Sequence, residues 1–203
     1  MNDLVLTALA AALWCALHSL LIEPCFEAWL QRRVGAHAAW HRLAYTLFSV
    51  ATLIAVWFIF RRHPGDPLWR WHGPWQLLRW TLLLAAATLG WLGARHYDGG
   101  VLLGLQQVRD LRAGRTPPPP RFSRDGVLGL VRHPWYAAGL LVLAVGLDYT
   151  TTNVVWRGIF MLYLLVGARL EERKLVRTFG DAYLAYRREV PAFLPGLRRP
   201  GPR

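Results

Sequence analysis

The sequence predicts an all-α integral membrane protein with five transmembrane helices, the last two a helical hairpin, followed by a cytoplasmic amphipathic C-terminal helix. Three observations carry this. Of the 203 residues, 54% are hydrophobic, above the roughly 45–50% usual for soluble domains. The apolar residues are gathered into five runs. Eleven tryptophans are many for this length, and an indole suits the membrane–water interface; the formal charge is +12, with the arginines mostly between the runs, where they suit anionic headgroups.

The first run covers 4–22. Asp3 is the only charge before it and no small-residue cleavage site follows, so it reads as a retained transmembrane helix rather than a signal peptide. The second (43–60) and third (75–93) are also near the ~20 residues that cross the hydrocarbon. Arg79 in the third lies one turn in, close enough to the end to snorkel. The fourth (136–147) and fifth (154–170) are separated only by 148–153, which predicts a hairpin that dips into or crosses the bilayer.

Nearly all the basic charge is arginine, with Lys174 the one lysine. Arg32, Arg33 and Arg42 follow the first run. Arg95, Arg109, Arg112, Arg115, Arg121, Arg124 and Arg132 follow the third, and the tail adds more, while the hairpin turn has none. Positive-inside counting places the N-terminus outside and the 94–132 loop and C-terminus in the cytoplasm. The loop after the second run, with Arg61, Arg62 and Arg70, runs against this count; its Trp69, Trp71 and Trp75 mark it as interfacial. Arginines interleaved with apolar runs argue against nucleic acid as a partner and for membrane lipid. Cys15 and Cys25 have neither metal-site nor disulfide spacing, so both read as small core residues and no metal is expected.

Pro117–Pro120 excludes helix and predicts a stiff extended piece. From 171 to 189, Leu175, Val176, Phe179, Tyr183 and Tyr186 fall near helical spacing, with Gly180 as a weak point and Pro191 and Pro195 as terminators. Two polar clusters flank the hairpin: Arg132, His133 and Tyr136 at its start, and Glu171, Glu172 and Arg173 at its end. A hairpin brings its ends together, so His133, Tyr136, Glu171 and Glu172 are expected to be neighbours. Carboxylates at a membrane helix end are costly unless paired or used. These residues alone leave two readings open, interfacial anchoring and a binding site.

The stretch from Gly126 through Arg132-His133-Pro134-Trp135-Tyr136 to Gly139 resembles the G-x-x-x-x-x-R-H-P-x-Y-x-x-G pattern of the isoprenylcysteine carboxyl methyltransferase and phospholipid methyltransferase superfamily. Glu171-Glu172, then Phe179-Gly180-Asp181-Ala182-Tyr183-Leu184-Ala185-Tyr186, then Val190-Pro191, resemble its closing E-E…F-G-x-x-Y-x-x-Y…V-P. The likeness covers about residues 99–197. It implies a membrane methyltransferase using S-adenosylmethionine, with 1–98 as the first three transmembrane helices and 99–203 as the cofactor-binding half of one integrated domain. Carried over by position, it implies cofactor contacts from Gln107, Phe122, Ser123, Leu128, Arg132, His133, Pro134, Trp135, Tyr136, Glu171 and Glu172, with Glu171 meeting the ammonium group. Leu128 stands where relatives often carry tyrosine.

In the prenylcysteine enzymes an arginine before the paired glutamates holds the substrate carboxylate; Gly167 stands there, and Arg169 lies two residues on. Gly104-Leu105-Gln106-Gln107-Val108, and Leu17-His18-Ser19 in the first run, are similar to stretches of the bacterial methanethiol S-methyltransferase branch. The resemblance therefore implies a small lipophilic acceptor, a thiol first, with His18, His96 and Arg169 as candidate acceptor-side residues. His37, His41, His63 and His72 are read as loop residues without a catalytic part. The alternatives are methylation of a prenylcysteine carboxylate or a phospholipid amine, an NADPH-dependent membrane reductase, and a non-enzymatic membrane protein.

Overall fold

The computed structural model describes residues 2–115 and 122–196. The proline run 117–120 and Arg121 lie outside the described residues. The chain is nearly all helical, and its segments interleave into two compact units: Met1–Leu68, Tyr97–Pro119 and Thr150–Ile159 form the first, and Trp69–His96, Pro120–Tyr149 and Phe160–Arg203 the second. Two short strands, β1 (Pro67–Trp69) and β2 (Tyr149–Thr150), pair as a small ladder.

In the first unit, α1 (Asp3–Ile22) opens on Asn2, whose side chain accepts the Leu4 N–H at 3.1 Å and so satisfies one orphan donor of the first turn. α1 packs on α3 (His41–Arg62). Its buried residues Thr7, Ala11 and Cys15 repeat every fourth position and are small, and Ser49 is buried on α3. In lipid, close approach of small residues replaces the hydrophobic effect as the drive for helix association. Between α1 and α3 lie α2 (Pro24–Val34) and a 3-10 turn, Gly35–Trp40, neither with a buried residue. α5 (Gly99–Leu103) is capped by Asp98, which accepts the Gly100 N–H at 2.7 Å. Gly104 then passes into α6 (Leu105–Arg112) with φ +85, and a Cβ there would lie 2.4 Å from the Leu43 nitrogen, so only glycine fits.

In the second unit, α4 (Pro74–Ala94) and α7 (Pro134–Val145) pack antiparallel. At one end Pro134 and Trp135 lie against Gly93, and the Trp135 indole donates to the Gly90 carbonyl at 3.0 Å. At the other end Arg79 donates to the Gly146 carbonyl at 2.7 Å. Arg79 thus keeps its charge near the helix end by bonding backbone and by facing Asp148 at 3.8 Å. α8 (Thr151–Phe179) is one 29-residue helix whose start belongs to the first unit and whose remainder to the second. Gly180, at φ +56, separates it from α9 (Asp181–Glu189).

Several expectations shift. Residues 171–179 extend α8 rather than opening a separate helix, because no breaker intervenes before Gly180. The interval 23–40, read as a loop, holds α2: Pro24 at its first position and Arg32 and Arg33 in its last turn are a helix signature. His41 opens α3 instead of lying in a loop. Four helical stretches among the described residues are long and apolar enough to cross a membrane: Asp3–Ile22, Pro24–Arg62, Pro74–Ala94 and Thr151–Phe179. α7 has 12 residues, roughly 18 Å at 1.5 Å per residue, short of the ~30 Å hydrocarbon. The outward faces carry Leu13, Leu77, Leu84 and Leu162, all exposed, as a lipid-facing surface requires.

The α4–α7 contact depends on the missing side chain at Gly93, since a Cβ there would meet the Trp135 ring at 2.6 Å. Gly93→Ala is expected to lower stability by about 1–3 kcal/mol through overpacking, and Gly93→Ala with Trp135→Leu to recover part of the loss. Thermal unfolding of the detergent-purified variants checks this.

Candidate functional site

The second unit gathers the residues that the motifs single out. Val131 and Pro134 are fully buried and hold the Arg132-His133 segment rigidly at the head of α7. The segment is pinned by backbone bonds to the chain after α9: Arg132 N–H donates to the Pro191 carbonyl at 2.9 Å, and His133 N–H to the Ala192 carbonyl at 3.0 Å. Val190-Pro191 therefore acts as an edge on which the Arg-His-Pro segment is hung.

Arg132 ties three parts of the unit together. Its Nε and Nη2 donate to Glu172 Oε1 at 2.9 and 2.6 Å, and its Nη1 donates to the Arg187 carbonyl at 3.0 Å and to the Val190 carbonyl. Those carbonyls are orphans of the last turn of α9, so a cation is well placed there. The His133 ring, 4% exposed, sits 3.2 Å from Glu172 Oε1 through Nε2 and 3.8 Å from Glu171 Oε2 through Nδ1. It meets Tyr136 edge-on at 5.3 Å and Phe193 at 5.8 Å between ring centres.

The two glutamates are therefore unlike. Glu172, 15% exposed on its side chain, has Arg132 and His133 in hydrogen-bond range and Arg187 at 3.9 Å. Glu171, 38% exposed, has His133 at 3.8 Å as its recorded ionic neighbour. One carboxylate is neutralised within the fold. The other, that of Glu171, stays half-exposed.

α8 approaches α7 at one-turn intervals: Leu164 against Gly139, Gly167 against the Tyr136 ring, and Glu171 near His133. A Cβ on Gly167 would lie 3.3 Å from Tyr136 Cε1, so the phenol occupies the place that a longer side chain at 167 would need. Arg169 is exposed on α8. Pro134 and Trp135, grouped with this site by sequence, turn their side chains to α4.

Beside the clasp, Phe122 packs among Phe179, Tyr183 and Tyr186, at 5.3, 6.0 and 5.4 Å between ring centres. Ser123 and Asp125 bond each other, the Ser123 hydroxyl donating to Asp125 Oδ2 at 3.0 Å and accepting the Asp125 N–H at 3.2 Å. Tyr186 donates its hydroxyl to the Leu128 carbonyl. Leu128 contributes its backbone to this contact, which explains how the loop is fixed without a tyrosine at that position. Gly126 (φ +56) lies under His96, and a Cβ on it would be 2.7 Å from Nε2. Tyr183, 2% exposed, has a buried hydroxyl with no hydrogen-bond partner among the described residues. Burial first, and the Glu172 charge second, push its phenol above the usual range.

Gln107 and His18 belong to the first unit. Gln107 Nε2 donates to the Val101 carbonyl at 3.1 Å, and its buried Oε1 has no partner among the described residues. His18 stacks on Trp14 at 4.6 Å. Its Nδ1 is 3.1 Å from the Ser49 hydroxyl and its Nε2 2.6 Å from the Tyr45 hydroxyl. Sequence reasoning found His18 but not Ser49 or Tyr45, because partners across two helices have no local spacing. It also missed the part played by Arg187, Val190 and Phe193. The described residues hold no cluster of metal-ligating side chains.

The Arg132–Glu172 pair is mostly buried, so removing one partner strands the other. Arg132→Met is expected to cost about 3 kcal/mol, and Arg132→Met with Glu172→Leu distinctly less. A double-mutant cycle read by thermal unfolding checks this.

The chain is similar to known proteins over most of its length. The chain is 30% identical over 195 residues to a methanethiol S-methyltransferase of Pseudomonas sp. (strain GM41(2012)), spanning 93% of this chain and 72% of that one. It is 29% identical over 206 residues to a methanethiol S-methyltransferase of Pseudomonas deceptionensis, spanning 97% and 74%. A protein-S-isoprenylcysteine O-methyltransferase of Schizosaccharomyces pombe is 39% identical over 75 residues, 35% of this chain and 31% of that one. No solved structure matches. The NnrU protein family matches residues 5–192, nearly the whole length, and the chain belongs to that family.

Proposed function

We propose that the chain is a membrane-embedded, S-adenosylmethionine-dependent methyltransferase whose acceptor is a small lipophilic thiol, methanethiol or a close analogue. The observation that carries the reading is the division between the adjacent glutamates: Glu172 is neutralised by Arg132 while Glu171 retains an accessible carboxylate. The fit of the residues to the cofactor rests on the donor set. A carboxylate suits an ammonium group, and more so in a low-dielectric setting. Phe122, half-buried against the buried rings of Tyr183 and Tyr186, offers an aromatic surface that suits a purine. When bound, the cofactor supplies an electrophilic methyl group on a sulfonium.

What the chain does is hold, align and keep dry. Glu171 binds the ammonium end. His133 stands beside Glu171, its Nδ1 3.8 Å from Oε2, and is itself held by Glu172 through Nε2. Tyr136, laid over Gly167, closes the space along α8 with an uncharged ring. An acceptor that brings no carboxylate suits that arrangement better than a prenylcysteine does. On the resemblance alone, His18, His96 and Arg169 remain the acceptor-side candidates and Gln107 a further cofactor candidate. In-line methyl transfer needs alignment and exclusion of water more than a catalytic acid or base.

In this reading α7 and α8 form a hairpin of which α7 enters the bilayer as the fifth apolar segment. The end bearing His133 and Glu171, with α9, faces the cytoplasm, the N-terminus is outside, and the membrane is a bacterial inner membrane. Residues 99–203 form the cofactor-binding half of one integrated domain with 1–98. The bacterial methanethiol enzymes among the relatives support the assignment.

Calorimetric titration with S-adenosylmethionine, with NADPH as control, tests the reading. Binding of the former alone and formation of the methyl thioether from methanethiol are expected. Binding of NADPH instead would overturn it in favour of a reductase. Glu171→Ala is expected to weaken cofactor binding by roughly ten- to hundred-fold, the worth of a hydrogen bond to a charged group, with the unfolding temperature near that of the parent. Unchanged affinity in the folded variant would remove Glu171 from the site.

A further inference from the structure

The first unit carries a second concentration of charge that the methyltransferase reading leaves unused. α2 ends in Arg32 and Arg33, the 3-10 turn follows at once, and α3 begins with His41 and Arg42. α6 packs on the 3-10 turn and contributes Arg109 and Arg112, three residues apart on one helix face. The five arginines 32, 33, 42, 109 and 112 are all exposed. None of them forms an ion pair among the described residues, and Arg42 Nε donates to the Leu102 carbonyl at 3.3 Å. Asp110, the acid nearest in sequence to the α6 pair, is buried and bound by Arg115 at 2.9 Å and by Gln106 at 2.9 Å. Glu23 and Glu27 lie at the opposite end of α2 from its arginines.

The surroundings are those of the bilayer interface rather than of open water. Arg33 lies over the Trp29 ring at 5.9 Å and Arg112 over the Trp40 ring at 5.3 Å. Both tryptophans are exposed, as is Val34. α2 and the 3-10 turn bury no residue, yet they link two helices long enough to span a membrane. An exposed amphipathic element with arginines beside tryptophans has the chemistry of an interfacial segment. The C-terminal ends of α2 and α6 favour Arg32, Arg33, Arg109 and Arg112, while Arg42, in the first turn of α3, is held by the Leu102 carbonyl; the five like charges still have no acid paired with them among the described residues.

We propose that the surface formed by α2, the 3-10 turn and α6 binds an anionic phospholipid, its phosphodiester held between Arg33 and Arg112 and its glycerol region against Trp29 and Trp40. Guanidinium groups match phosphate oxygens bidentately. Juxtamembrane arginines each add attraction to an anionic leaflet. The proposal does not rest on the methyltransferase reading.

The test uses the full chain reconstituted in nanodiscs of phosphatidylcholine alone or with phosphatidylglycerol, read by thermal unfolding and by native mass spectrometry of retained lipid. Phosphatidylglycerol is expected to raise the unfolding temperature by about 3 °C or more, to remain bound in the spectrometer, and to lose its effect near ~1 M salt. The double variant R33Q/R112Q is expected to lose both the shift and the retained lipid. R61Q/R62Q, which removes the same charge at the other end of α3, is expected to keep both. Equal stability in the two lipids, or equal loss in the two variants, overturns the proposal. A shift reproduced by inorganic phosphate in phosphatidylcholine discs assigns the site to a free anion and also overturns it. Should R33Q/R112Q not fold, salt sensitivity and lipid retention of the parent chain decide alone.

Discussion

The second unit depends on the Arg132 guanidinium. Its donors reach α8 through Glu172 and the end of α9 through two backbone carbonyls, while its own backbone is bonded to the chain after α9. Three pieces far apart in sequence are thereby fixed at one point. A lysine would not serve, because one ammonium cannot present donors in the planar fork that meets a carboxylate and two carbonyls together. Glu172 is in turn committed to the fold, and this leaves its neighbour Glu171 as the accessible carboxylate. Adjacent residues on a helix point about 100° apart, so an E-E pair divides naturally into one carboxylate committed to the fold and one left accessible.

Much of this was legible in the sequence, and the reasons are specific. Apolar runs announced α1, α3 and α4 to within two residues, because length and hydropathy are strong signals when the solvent is lipid. The juxtaposition of His133 with Glu171 and Glu172 followed from the order of polar clusters around two apolar segments. α2 was not read, since eleven residues with mixed polarity carry little periodicity, although Pro24 and the terminal arginines marked its ends. The end of α8 was placed too early, because the polar character of 171–179 suggested a new element while nothing there breaks a helix. The partners of His18 and the α9 carbonyls that receive Arg132 were invisible for a plainer reason. Both are long-range backbone or side-chain contacts, and no spacing encodes them.

Glycine does in this chain what small residues do in membrane helices generally, but at positions with different consequences. Gly93 admits the Trp135 ring and so sets the α4–α7 distance. Gly104 lets its loop touch the backbone of α3. Gly167 admits the Tyr136 phenol one turn from Glu171. The first two are matters of packing. The third reaches into chemistry, because it exchanges a position from which a charged side chain could project for an uncharged aromatic surface.

That exchange bears on the kind of acceptor the unit suits. The face of α8 that meets α7 reads Leu164, Gly167, Glu171, with Tyr136 and His133 opposite, and the arginine nearest to it in sequence, Arg169, lies exposed elsewhere on the helix. An anionic acceptor brought to this face would find glycine at 167, with the Tyr136 ring against it, and no charged side chain at that position to pair with. A neutral thiol needs no such partner, partitions into the bilayer, and becomes a neutral thioether once its proton and the transferred methyl are exchanged. On the methyltransferase reading, Glu171 serves the cofactor while Gly167, one turn before it with Tyr136 against it, bears on the acceptor, so neighbouring turns of α8 divide binding from discrimination.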